Sequence, residues 1–91
     1  MSKLSDDARC VAGGWFGVGL TEVICAMREW RPTTRTQAAI EELVKAKIVS
    51  RGNYGARGFI LRPLVDCEGY GRWLKKNRSK GEWPLMEEVV K

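Results

Sequence analysis

Ninety-one residues leave room for one domain with a modest core, and 44% hydrophobic with 30% charged residues is the balance of a globular chain, not a disordered one. The net charge of +5 is uneven: residues 1–50 carry seven Lys/Arg against six Asp/Glu, and residues 51–91 carry nine against five. That excess points to polyanions as partners, while the absence of histidine removes the usual general base and a common metal ligand.

In chain order, the acidic start Met1 to Asp7 lacks the basic character of a secretory leader, and the apolar run Cys10 to Leu20 is too short to span a bilayer. No membrane association is expected. Ser5 before Asp6 and Asp7 reads as an N-cap with carboxylates in the first turn. A first helix is expected from there to Trp15 or Phe16, burying Ala8, Val11, Ala12 and Trp15, with Gly13, Gly14, Gly17 and Gly19 ending it and making the turn. Gly14-x-x-Gly17-x-Gly19 lacks the Lys-Ser/Thr and preceding strand of a phosphate cradle, so close helix packing or a loop accounts for these glycines better.

Leu20, Val23, Ile24, Met27 and Trp30 fall at helical spacing, which predicts a second amphipathic helix over residues 20–30, stopped by Arg31-Pro32. A third helix is expected over 33–47. Thr34, three residues ahead of Gln37, matches a capping box, and Ala39, Ile40, Leu43, Val44 and Ala46 line one face. Gln37, Ala38, Glu41, Glu42 and Lys45 are left facing outward. Helices two and three, joined by a tight turn at residues 31–33, make a helix-turn-helix in which the second props the third against the core.

The period then changes. Ile48 to Arg51 and Phe59 to Arg62 are β-prone runs around the glycine-rich loop 52–58, which predicts a hairpin with a basic tip closed by Pro63. A further helix is expected from Asp66 through Tyr70, Trp73 and Leu74 to Lys76, whose cations suit a helix C-terminus even without a ligand. Residues 82–91 read as a turn and one or two helical turns. Trp83, Leu85, Met86, Val89 and Val90 are too apolar for a free tail: they either return to the domain or contact another chain, a second copy included.

Thr34-Arg35-Thr36, then Ala39 to Val49, resemble the recognition helix and first wing strand of winged helix-turn-helix DNA-binding proteins, over about residues 5–63. Lys47 stands where the family usually has a helix-ending glycine. The resemblance implies an α+β, mainly helical fold with three helices and a two-stranded wing at 1–65, and a C-terminal helical extension at 66–91. It further implies a sequence-specific double-stranded DNA-binding protein, a small transcriptional regulator, with helix 33–47 in the major groove and wing 48–62 on the backbone or in the minor groove; widely spaced cysteines read as free thiols point to a reducing cytoplasm. The candidate contacts are Thr33, Thr34, Arg35, Gln37, Arg51, Asn53, Tyr54, Arg57 and Arg62. Arg35 suits a guanine edge or a phosphate; Gln37 suits an adenine edge unless the cap holds it. Tyr54 and Phe59 could alternatively stack on single-stranded bases, although Phe59 at a strand start suits the core.

The acidic pair Glu41 and Glu42 and the four tryptophans also fit a protein-binding face. The alternative is therefore a small phage or mobile-element protein that binds another protein as adaptor or inhibitor. No catalytic constellation is visible. The three cysteines, Cys10, Cys25 and Cys67, form no Cys-x-x-Cys pair, so neither zinc, another cofactor nor a disulfide framework is expected.

Overall fold

The computed structural model describes residues 4–55 and 58–89. Among them the chain forms an α+β domain of three helices and five strands in two antiparallel sheets. The order is α1 (Asp6–Trp15), β1 (Val23–Ala26), β2 (Trp30–Pro32), α2 (Thr34–Lys45), β3 (Val49–Asn53), β4 (Gly58–Pro63), α3 (Glu68–Lys76), a 3-10 turn (Arg78–Gly81) and β5 (Met86–Glu88).

α1 begins where its cap dictates: Ser5 accepts a hydrogen bond from the Ala8 amide, and Asp6 and Asp7 occupy the first turn. Gly13 and Gly14, expected to end this helix, lie within it; only Gly17 and Gly19 fall in the turn beyond. Packing is the reason Gly13 stays. A Cβ there would come within 2.5 Å of the Tyr70 carbonyl oxygen, and one on Gly17 or Gly71 would strike the other's backbone at 2.6–2.7 Å. These three glycines let α3 lie against α1 at backbone contact.

The helix expected at 20–30 does not form, and with it goes the helix-turn-helix. Its residues make β1, a turn closed by the Glu29 amide on the Ala26 carbonyl, and β2. The apolar spacing satisfied two periods at once. Val23, Cys25 and Met27 also alternate as a strand does, and β-branched Val23 and Ile24 suit a sheet. Leu20 and Trp30, which should have flanked a buried helical stripe, are 47% and 50% exposed. β1 pairs with β4 (Val23 opposite Leu61, Cys25 opposite Phe59), and β4 pairs with β3, giving the order β1-β4-β3.

α2 starts one residue earlier than the capping box implied. Thr33, not Thr34, caps it through the Thr36 amide, and Gln37 spends its amide nitrogen on the Pro32 carbonyl at 2.9 Å. It ends in a Schellman turn, with the Ile48 amide on the Leu43 carbonyl and the Lys47 amide on that of Val44. Lys47 takes φ of 61°, the left-handed conformation that its glycine-favouring position demands. Buried Ala39, Ile40 and Leu43 join Ala8, Val11, Ala12, Trp15, Phe16, Cys25, Val49, Phe59, Leu61 and Cys67 in the core.

Residues 86–88 are a strand where helical turns were expected. β5 pairs with β2 across 56 positions (Trp30 opposite Glu88, Pro32 opposite Met86), and Arg31 bonds Glu87 at 2.8 Å. Trp83, Leu85, Met86 and Val89 are half-buried against the domain; Val90 lies outside the described residues. No helix among the described residues is long and apolar enough to cross a membrane.

Two substitutions only two positions apart in α3 should have opposite signs. Gly71→Ala should lower the urea midpoint, because displacing the Gly17 backbone costs about 1–3 kcal/mol or more against a helix-propensity gain of about 1. Gly69→Ala, which meets only the flexible end of Arg72 at 3.8 Å, should raise it. Replacing Lys47 with glycine should raise the thermal midpoint, relieving up to about 1 kcal/mol of left-handed strain.

Candidate nucleic-acid interface

The first turn of α2 is enclosed from the side of the C-terminal segment. Thr36 is fully buried, and its hydroxyl is shared between the Trp83 indole N–H at 3.0 Å and the Thr33 hydroxyl at 2.8 Å. Arg35 lies over the Trp83 ring at 4.0 Å. It donates from Nε and Nη2 to the two carboxylate oxygens of Asp7, at 2.8 and 2.9 Å. That bidentate pair holds the Asp7 carboxyl below its ordinary value and raises Arg35. An arginine stacked and paired in this way is no longer a free reader of base edges. Thr33 is likewise committed to its cap, and its amide donates to the Leu85 carbonyl.

The rest of α2's outward side remains open. Thr34, Gln37, Ala38 and Glu41 are exposed, whereas Glu42, expected beside Glu41, is half-buried and accepts from the Ser5 amide at 2.8 Å. Beside this side stands the hairpin. A small cleft of about 60 Å³ is lined by Gln37, Ile40 and Glu41 of α2, Arg51 of β3, Phe59 of β4 and Met27. Arg51 stacks over Phe59 at 4.0 Å and forms no salt bridge among the described residues. Phe59 itself is 8% exposed, so it belongs to the core and not to a stacking surface.

Strand alternation separates the hairpin arginines. Arg51 is opposite Leu61 and Asn53 opposite Phe59, so both occupy the sheet face that turns toward α2. Arg62 follows Leu61 and points to the opposite face, where it pairs with Glu22 at 3.4 Å. Tyr54 is half-exposed at the hairpin tip, beside Gly55 with φ of +70°. Arg57 lies outside the described residues. Of the nine candidates, the fold thus brings Thr34, Gln37, Arg51 and Asn53 to one side, with Tyr54 at the hairpin tip. Arg35 and Arg62 are directed elsewhere and neutralised.

The residues that sequence reasoning missed are Asp7, Thr36 and Trp83 acting together. Asp7 had shown only a dipole role, and no local signal links positions 7, 36 and 83. Among the described residues no group of three Cys, Asp or Glu could hold a metal. The three thiols are free and buried, and burial pushes that of Cys25 up to about 11.

The Asp7–Arg35 pair predicts a pH dependence. A carboxyl whose folded value is depressed contributes stability in full above its ordinary value near 3.8, and loses it as the pH falls through the lowered one. Asp7→Asn should therefore reduce stability at neutral pH and make the acid limb of a thermal-midpoint profile shallower. Comparison of the chain with family models, curated proteins and solved structures finds no match in any of the three.

Proposed function

We propose that this protein binds double-stranded DNA as a small winged-helix-like regulator, gripping the backbone with the β3–β4 hairpin while the open side of α2 faces the groove. The observation that carries this reading is Arg51: a cation with no carboxylate partner among the described residues, braced on Phe59 and facing the same cleft as Gln37. Thr34 and Ala38 flank Gln37 on the helix and complete a short polar and methyl surface of the kind that meets base edges. Glu41 repels phosphates, which confines contact to the start of α2 and the hairpin tip. With Arg35 held by Asp7, hairpin contacts to phosphate dominate and sequence selectivity is slight. Three free, buried thiols suit a reducing compartment such as the cytoplasm.

The protein-binding reading is supported by a different observation. Val23 opposite Leu61 means that residues 18–20 and 64–65 leave the sheet at the same end, away from the hairpin tip. There Val18, Leu20, Leu64 and Val65 are 68%, 47%, 56% and 45% exposed. Since Trp83, Leu85, Met86 and Val89 are engaged within the chain, a protein partner or second copy would use this end instead.

A salt titration with random-sequence duplex separates the two readings. Duplex binding should weaken steeply between about 50 and 200 mM salt. Arg51→Ala should weaken it to a similar degree for all sequences, flattening the slope of log affinity on log salt by about 0.9. Absence of duplex binding even at the lower salt concentration would favour the apolar end as the working surface.

A further inference from the structure

A second cationic surface lies away from the hairpin, and it is built around an aromatic ring. On α3, Trp73 is approached by the Arg9 guanidinium at 5.5 Å and the Lys80 ammonium at 5.9 Å from its ring centre. Lys76 is one turn further along the same helix face, and Lys75, Lys76 and Arg78 are exposed. Those three form no salt bridge among the described residues, whereas Arg9 and Lys80 share Asp6 and Arg72 pairs with Glu68. Next to these cations is an open cleft of about 320 Å³ lined by Arg9, Asp66, Gly69, Tyr70 and Trp73. Gly69 leaves its floor bare, and the volume falls at the lower end of small-molecule sites.

We propose that this surface binds single-stranded nucleic acid. A base would enter the cleft against the Tyr70 and Trp73 rings, and the neighbouring phosphates would lie along Lys76 and Arg78. Two features select this ligand over a duplex. Stacking on a side chain requires a base whose face is free, which a single strand offers and a paired helix does not. Lys76 and Arg78, unpaired among the described residues, also trail from the cleft over the last turn of α3 and the 3-10 turn, as a chain with a phosphate at every nucleotide requires. Asp66 at the rim disfavours a phosphate in the cleft itself and so leaves that space to a base. An acidic protein would use the lysines but not the cleft. The proposal is independent of the hairpin, because Arg9 and Asp7 point about 160° apart around α1, toward α3 and α2 respectively.

The test is fluorescence anisotropy with a labelled oligodeoxythymidine of about twelve nucleotides. The wild type should bind it at low salt. Lys76→Gln/Arg78→Gln, both at exposed positions, should weaken binding about tenfold and reduce the salt slope by about 1.4. An abasic oligomer of equal length should bind about fivefold or more weaker, reporting the lost stacking. Trp73→Phe, which keeps a ring in place, should retain more affinity than Trp73→Ala, with circular dichroism confirming that each is folded. Arg51→Ala should leave single-strand affinity within about twofold. The proposal is overturned if the wild type does not bind, if the double variant or the abasic oligomer binds as tightly as its reference, or if Arg51→Ala alone removes binding.

Discussion

The backbone contact between α1 and α3 is the constraint on which the remaining structure depends. Three glycines, Gly13, Gly17 and Gly71, permit an approach that any side chain would block. Everything after α3 is positioned by that approach. With the helices this close, the 3-10 turn sets Gly81 against Leu74 and Cys10, and Leu85 reaches Gly14. β5 can then pair with β2, and Trp83 arrives over Thr36. A chain too small for a deep core thus gains a second layer by packing its C-terminal quarter on its first helix.

That layer also sets the electrostatics of α2. The first turn of a helix presents unsatisfied amides and a partial positive charge, and it is often available to anions. Here Thr33, Trp83 and the chain at Leu85 occupy it, and Asp7 takes the one arginine within reach. Among the described residues, cations without a carboxylate partner lie elsewhere, among them Arg51 on the hairpin and Lys75, Lys76 and Arg78 after Trp73. The basic excess of the sequence lies in residues 51–91, but only pairing shows which of those cations are available. Arg62, Arg72 and Lys80 are each matched by a carboxylate.

What could be read from the chain alone follows from how local each signal was. α1 and the start of α2 were legible because hydroxyl caps sit beside the helices they begin, and Pro32 marks a boundary that tertiary context did not override. The hairpin was legible because the period changes at Ile48 and glycines supply its tip. Lys47 is the instructive case: a residue unsuited to left-handed backbone still adopts it, since the Schellman bonds and the strand that follows leave no alternative. Illegible were the elements whose existence depends on distant partners. β1 is four residues that could wind either way until β4 supplies a ladder, and β5 is three residues that only β2 makes a strand. The burial of Thr36 is of the same kind, because its second hydrogen-bond partner is 47 positions away.

The separation of the two cationic surfaces limits how any polyanion can be held. α1 lies between α2 and α3, and the body measures 36 × 25 × 23 Å. A B-form major groove is only about 12 Å wide, so a duplex seated on the hairpin and the open side of α2 cannot also pass over Trp73 without strong bending. Contacts on the two faces therefore belong to different strands or to distant segments of one flexible strand. A single strand has the flexibility for the second arrangement and a duplex does not.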